Sequence, residues 1–229
     1  MHPVLFVLAL TLAQATPTPA PTAAPTAAPT AVPSAAPTAT PTPAPTPAAL
    51  PLYYGHLNLP LGGYLKLPDG LYTSGTYTVE LWAFITTNTD MGRLFELSTA
   101  QDANAIVFTA SYLTGVLGLM NFDALGAYSL VTDPNYATMN SWTHFAATVD
   151  SLAQVGKLYV NAVLVATANV THVTSNTPHT NVFIGKSVWP GQGPFEGRVA
   201  DFRFWNVART QAQLNASLST PLVGNELGL

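Results

Sequence analysis

The 229-residue chain contains no cysteine, which excludes a disulfide framework and any cysteine-ligated metal, so packing alone must hold its fold. Charge is scarce as well: seven Lys and Arg stand against eleven Asp and Glu, 8% of the chain, for a net charge of −4. The cations are scattered, which leaves no electrostatic footprint for nucleic acid or for an acidic lipid surface. No charged side chain precedes Lys66, and that absence divides the chain into physically different parts.

Residues 4–13 form an apolar run of ten that leads into the small-x-small triplet Ala13-Gln14-Ala15. The run is too short for the ~20 residues of a membrane-spanning helix. It has the pattern of a secretion signal over residues 1–15, cleaved after Ala15, and it predicts a secreted or cell-surface protein without a membrane span. Residues 16–49 are Pro, Thr or Ala except for Val32 and Ser34, with eleven Pro among the thirty-four. Such a segment loses backbone donors to Pro and offers almost nothing to bury, so it is expected to be a disordered stalk or linker. At ~3.1 Å per residue in polyproline II it would reach roughly 100 Å fully extended. Thr beside Pro and Ala suits mucin-like O-glycosylation; an unglycosylated spacer fits the same composition.

Residues 50–229 are one domain's worth of chain. Short apolar runs separated by Gly, Pro, Asn and Asp recur at 64–67, 77–85, 93–98, 106–110, 116–120, 128–132, 144–150, 157–160, 163–168, 182–185 and 198–205. Strands without intervening helices specify an all-β, antiparallel two-sheet sandwich or barrel. The runs at 77–85 and 144–150 are apolar on both alternating faces and belong in the middle of a sheet; the looser run from Tyr128 belongs near an edge. Asn161-Ala162 is placed as a two-residue hairpin loop needing positive φ at both residues. Thr210 is an N-cap for one short helix running toward Ser219, outside the sandwich.

An ordered set of segments resembles the laminin-G-like jellyroll domains of the concanavalin A-like lectin and glucanase superfamily. It comprises Gly63-Tyr64-Leu65-Lys66-Leu67-Pro68, Tyr77-Thr78-Val79-Glu80-Leu81-Trp82, Trp142-Thr143-His144-Phe145-Ala146-Ala147-Thr148-Val149-Asp150, Gly156-Lys157-Leu158-Tyr159-Val160-Asn161, Val182-Phe183-Ile184-Gly185, and Phe195-Glu196-Gly197-Arg198-Val199-Ala200-Asp201-Phe202-Arg203-Phe204-Trp205-Asn206. The helix entry after Ala208-Arg209 completes it. The resemblance implies a jellyroll sandwich and a lectin-like, noncatalytic module whose partner is an extracellular glycan or glycoprotein. Residues 224–229 resemble the lead-in to a further strand of that family. Asn161-Ala162 departs from the family's usual Asn-Gly.

Glycoside hydrolysis in this superfamily would imply a Glu-x-Asp-x-x-Glu strand. None of Glu80, Glu96, Glu196 and Glu226 is followed two residues later by Asp. Glu80 and Glu96 could meet across strands or serve as structural carboxylates paired with Arg. His144 and Asp150 share a parity without a nucleophile elbow, and His144 is expected to bond a neighbour beside Trp142. His172 and His179 alone are too few for zinc. Calcium is the metal that the resemblance implies: Asp102, Asn104, Asp133 and Asn135 have the right oxygens in loop-like positions, and are equally ordinary turn residues. For sugar recognition, Trp189 beside Gln192 in a Gly/Pro-rich loop is the leading pair, with Tyr136 and Tyr112 as further stacking residues. Trp189 equally fits a lid over the sandwich end. Trp82, Trp142 and Trp205 are expected to pack. Asn169 and Asn215 head the N-glycosylation sequons Asn169-Val170-Thr171 and Asn215-Ala216-Ser217.

Overall fold

The computed structural model describes residues 56–70, 73, 75–113, 115–134 and 139–229. The signal and stalk expected over 1–49, and the candidates Asn135 and Tyr136, lie outside the described residues. The strands are β1 Leu57–Leu59, β2 Leu65–Lys66, β3 Tyr77–Ile85, β4 Arg93–Ser98, β5 Ala105–Tyr112, β6 Val116–Phe122, β7 Tyr128–Asp133, β8 Trp142–Asp150, β9 Val155–Val160, β10 Val163–Asn169, β11 Asn181–Ile184 and β12 Gly197–Trp205. One helix, α1 Gln211–Ser217, follows. Sheet A has the order β1-β12-β3-β8-β9-β10 and sheet B the order β2-β11-β4-β5-β6-β7, with every neighbouring pair antiparallel.

The period of two along each strand builds the core. Tyr77, Val79, Leu81, Ala83 and Ile85 of β3 face Phe95, Leu97, Ile106, Phe108 and Leu119 of sheet B in one buried cluster. Inside it, the Tyr77 hydroxyl donates to Asn121 Oδ1 at 2.6 Å, and burial pushes the phenol up in pKa. β3 is central and β7 is an edge strand, as their patterns predict. The outward set of β3, Thr78, Glu80 and Trp82, is also buried: the segment after β12 covers Thr78 and Glu80 through Val207 and Arg209, and His144 packs edge-on against Trp82.

Asn161 and Ala162 both adopt positive φ, 49° and 59°, closing the β9–β10 hairpin as its length requires. Ala in place of Gly has a packing reason: its methyl is buried in a small cluster with Ala146, Tyr159 and Leu214 of α1. Thr210 caps the helix, accepting from the Gln213 amide while Gln213 reaches back to the Thr210 amide in a capping box. α1 therefore lies outside the sandwich but is docked on it through Leu214, which has no exposed surface. β1 has no counterpart among the runs recognised in the sequence. Among the described residues no helix is long and apolar enough to cross a membrane.

Candidate functional site

The outer face of sheet B has an apolar floor of Ala105, Val107, Met120 and Phe122, against which Met91, Tyr112, Leu130 and Trp189 pack while keeping part of their surface in solvent. Tyr128 stands at its margin, half exposed, with its ring 5.1 Å from that of Phe122. The loop after β11 reaches this face through Gly185, whose φ is +87°. It is seated by Gly193, where a Cβ would collide with the side chain of Thr89. Trp189 then lies 5.6 Å from the Phe122 ring and donates its Nε1–H to Asp102 Oδ1 at 2.8 Å.

A buried ion pair anchors the loop. Arg93 Nε donates to Glu96 Oε2 at 2.8 Å, and neither side chain has exposed surface. Arg93 Nη1 donates to the Met91 carbonyl at 2.9 Å and Nη2 to Gln192 Oε1. Ser187 also donates to Gln192 Oε1, at 3.0 Å, and the Val188 amide donates to Glu96 Oε1 at 2.9 Å. The guanidinium sits 5.2 Å from the Trp189 ring. Burial pushes the Glu96 carboxyl up, opposed by Arg93 and the Val188 amide. The pair is thus neutral overall, and the face above it is aromatic and polar without an uncompensated charge from Arg93 or Glu96.

Trp189 neither projects from the rim nor caps the end of the sandwich; it lies across a sheet face. Trp189, Gln192 and Asp102 form one cluster, and Tyr112 shares the face. The Arg93–Glu96 scaffold escaped sequence reasoning because residues three apart on a regular strand point to opposite sides. A register shift between Arg93 and Phe95 brings them together.

Among the oxygens considered for calcium, those of the described residues Asp102, Asn104 and Asp133 do not converge. Asp102 accepts from Trp189 and from Gln101, and Asn104 Oδ1 accepts from the Ser175 amide and hydroxyl at 3.0 and 2.6 Å. Asp133 is buried at the far end of β7, five residues beyond Tyr128, about 17 Å along the strand. Asp102, Asn104 and Asp133 do not fit one coordination sphere. Among the described residues no three His, Cys, Asp or Glu side chains are grouped to hold a metal. His172 Nδ1 instead pairs with Asp123 Oδ2 at 2.9 Å. Asn169 and Asn215 are both exposed, although the Ser217 hydroxyl of the second sequon donates to the Gln213 carbonyl at 3.1 Å.

Glu80 occupies the opposite outer face, that of sheet A, so it forms no catalytic pair with Glu96. Its Oε1 accepts from Trp205 Nε1 at 2.7 Å and from Arg209 Nη1 at 2.9 Å, with Arg203 Nη1 3.7 Å away. His144 Nε2 lies 3.1 Å from Oε2. Burial works against ionisation of Glu80, yet His144, Arg203 and Arg209 outweigh it and hold the carboxyl below its ordinary range. Arg209 stacks 3.9 Å over Trp205, and Arg203 donates to the Ser217 and Thr220 carbonyls beyond the helix. Asp201 braces Arg203 through Nε and Nη2. Trp82 and Trp205 are buried, whereas Trp142 stays partly exposed, with the Arg198 guanidinium 5.4 Å from its ring.

The family model described as the concanavalin A-like lectin/glucanases superfamily matches residues 61–215. Among curated proteins none matches the chain. The fold is similar to domain 4 of AbnA, a GH43 extracellular arabinanase from Geobacillus stearothermophilus solved in complex with arabinotriose, at 20% identity over 71% of this chain and 86% of that one, TM-score 0.54. It is similar to the Ruminococcus gnavus IT-sialidase CBM40 bound to α2,3 sialyllactose, at 16% identity over 70% and 97%, TM-score 0.53. A native heptameric SAP-like pentraxin from Limulus polyphemus matches at 17% identity over 75% and 82%, TM-score 0.54.

Proposed function

This chain belongs to the concanavalin A-like lectin/glucanases superfamily, and we propose that it is a secreted or cell-surface, noncatalytic module that binds extracellular glycan through the outer face of sheet B. The observation that carries this is the placement of Trp189: part of the indole stays in solvent beside Tyr112 and Tyr128, on a loop locked by the buried Arg93–Glu96 pair. A fixed aromatic surface stacks on the apolar C–H face of a sugar at little entropic cost. With Arg93 paired to Glu96 the cluster offers no free guanidinium to an anionic sugar, and its Asp102 carboxylate disfavours one, so the expected ligand is an uncharged sugar. Solved relatives of the fold carrying arabinotriose and sialyllactose support a sugar as the ligand class. A noncatalytic role agrees with Glu80 and Glu96 lying on opposite outer faces, each tied to arginine, since hydrolysis needs two carboxylates within ~5–10 Å. No step of this function runs through calcium.

A second role, a structural or adhesive sandwich with no small ligand, is favoured by one feature: Trp189 Nε1 and Gln192 Oε1 are already satisfied by protein partners. A glycan array with the secreted chain separates the two. Binding to neutral oligosaccharides that Trp189→Ala weakens by about tenfold or more supports the first; a blank array with intact cell or matrix adhesion supports the second.

A further inference from the structure

The outer face of sheet A is only partly covered by α1. Beside the helix entry, Thr148 and Asp150 of β8, Lys157 and Tyr159 of β9 and Leu164 of β10 line a cleft of about 350 Å³, walled by the segment from Ala208 to Gln211. That volume is of the order needed to hold a small ligand. Most of its polar groups are already committed. Arg209 serves Glu80, the Ser217 hydroxyl and the Gln213 carbonyl. Asp150 Oδ1 accepts from the Leu152 and Ala153 amides at 3.0 and 2.9 Å. The Tyr159 hydroxyl shares a hydrogen bond with Thr148.

Lys157 differs from these. It is half-buried in the cleft wall, and among the described residues no carboxylate lies within ion-pair distance of its ammonium. A cation that lines a concave surface without a carboxylate partner favours an anionic group there. The cleft also holds the carboxylate of Asp150, whose second oxygen is not engaged by the Leu152 and Ala153 amides, and the apolar surface of Leu164, itself 37% exposed, while the Thr210 hydroxyl is committed to the helix cap. A carboxylate that can accept from hydroxyls, one cation without a carboxylate partner and one apolar flank match a polyhydroxylated ring that carries a single carboxylate.

We infer that this cleft is a second binding site, separate from the sheet B face, for a carboxylate-bearing sugar of the hexuronate class, with Lys157 receiving the carboxylate. The Asp150 carboxylate in the same cleft disfavours ligands bearing more negative charge, such as inorganic phosphate. The inference does not depend on what the sheet B face binds.

Titrating the ¹⁵N-labelled full chain with glucuronate, glucose and inorganic phosphate tests it. Glucuronate is expected to bind in the millimolar range and to shift amides of β8, β9 and residues 208–211, with glucose and phosphate at least about tenfold weaker. Lys157→Met should weaken glucuronate about tenfold or more, while Lys186→Met, which removes the same charge beside Tyr64, should leave it unchanged. Four results each overturn the inference: no shift at this cleft, glucose or phosphate binding as tightly as glucuronate, a folded Lys157→Met protein that binds like the parent, or an equal loss with Lys186→Met.

Discussion

The two outer faces of the sandwich are made of the same ingredients and end differently. Each buries a glutamate against arginine beside a tryptophan: Glu80 with Arg203, Arg209 and Trp205 on sheet A, Glu96 with Arg93 and Trp189 on sheet B. On sheet A a helix and the chain beyond it close over the cluster, and Trp205 keeps 2% of its surface. On sheet B only a loop crosses, and Trp189 stays partly in solvent. Cover, rather than residue type, decides whether such a cluster packs or presents.

The largest effects should come from breaking the closed face. Trp205→Ala leaves a cavity and removes a donor from Glu80, and Glu80→Ala leaves Arg203 and Arg209 facing each other without their carboxylate. Each is expected to cost about 3–5 kcal/mol in denaturant unfolding. Trp189→Ala, by contrast, should cost about 1 kcal/mol or less and weaken glycan binding by about tenfold or more instead. Equal stability losses at Trp189 and Trp205 would erase the distinction between the faces. Glu96→Ala should do both, destabilising by about 3 kcal/mol and weakening binding, because Val188 and Gln192 lose their anchor.

Acid titration separates the two glutamates by sign. The Glu80 carboxyl is held below its ordinary value of 4.5 in the fold, so it stabilises above that pH and its contribution is lost as the pH falls through the lowered folded pKa. Glu96 is raised above 4.5, so its effect runs the other way: stability is regained as the pH falls through its folded pKa toward 4.5. Glu80→Gln should therefore flatten the acid loss of stability and Glu96→Gln steepen it, as read from unfolding midpoints between neutral and acid pH. The smallest effect expected is at the hairpin. Ala162→Gly relieves a left-handed Ala but exposes the cluster under Leu214, so two terms of about 1 kcal/mol oppose and the net change should stay below that.

Much of this architecture is legible in the residues. Two-sided apolar runs located β3 and β8, the bounds of β3 and β4 coincide with the runs at 77–85 and 93–98, and Thr210 marked the helix entry. β1 was not legible, because three residues of an edge strand carry no period and are ordered by pairing with β12. The proposed binding face was legible in its parts, Trp189, Gln192, Tyr112 and Asp102, but not as a whole. Its organising pair depends on a bulge in β4, and no spacing rule places Arg93 and Glu96 on one side.

Amide chemical-shift mapping of the chain with a neutral oligosaccharide from the array tests the proposed sheet B binding face most directly. Perturbations are expected to be confined to the outward positions of β5 and β6, to Tyr128 and to residues 187–192. Perturbations confined to the helix-covered face of sheet A, or to the sandwich ends, would contradict it.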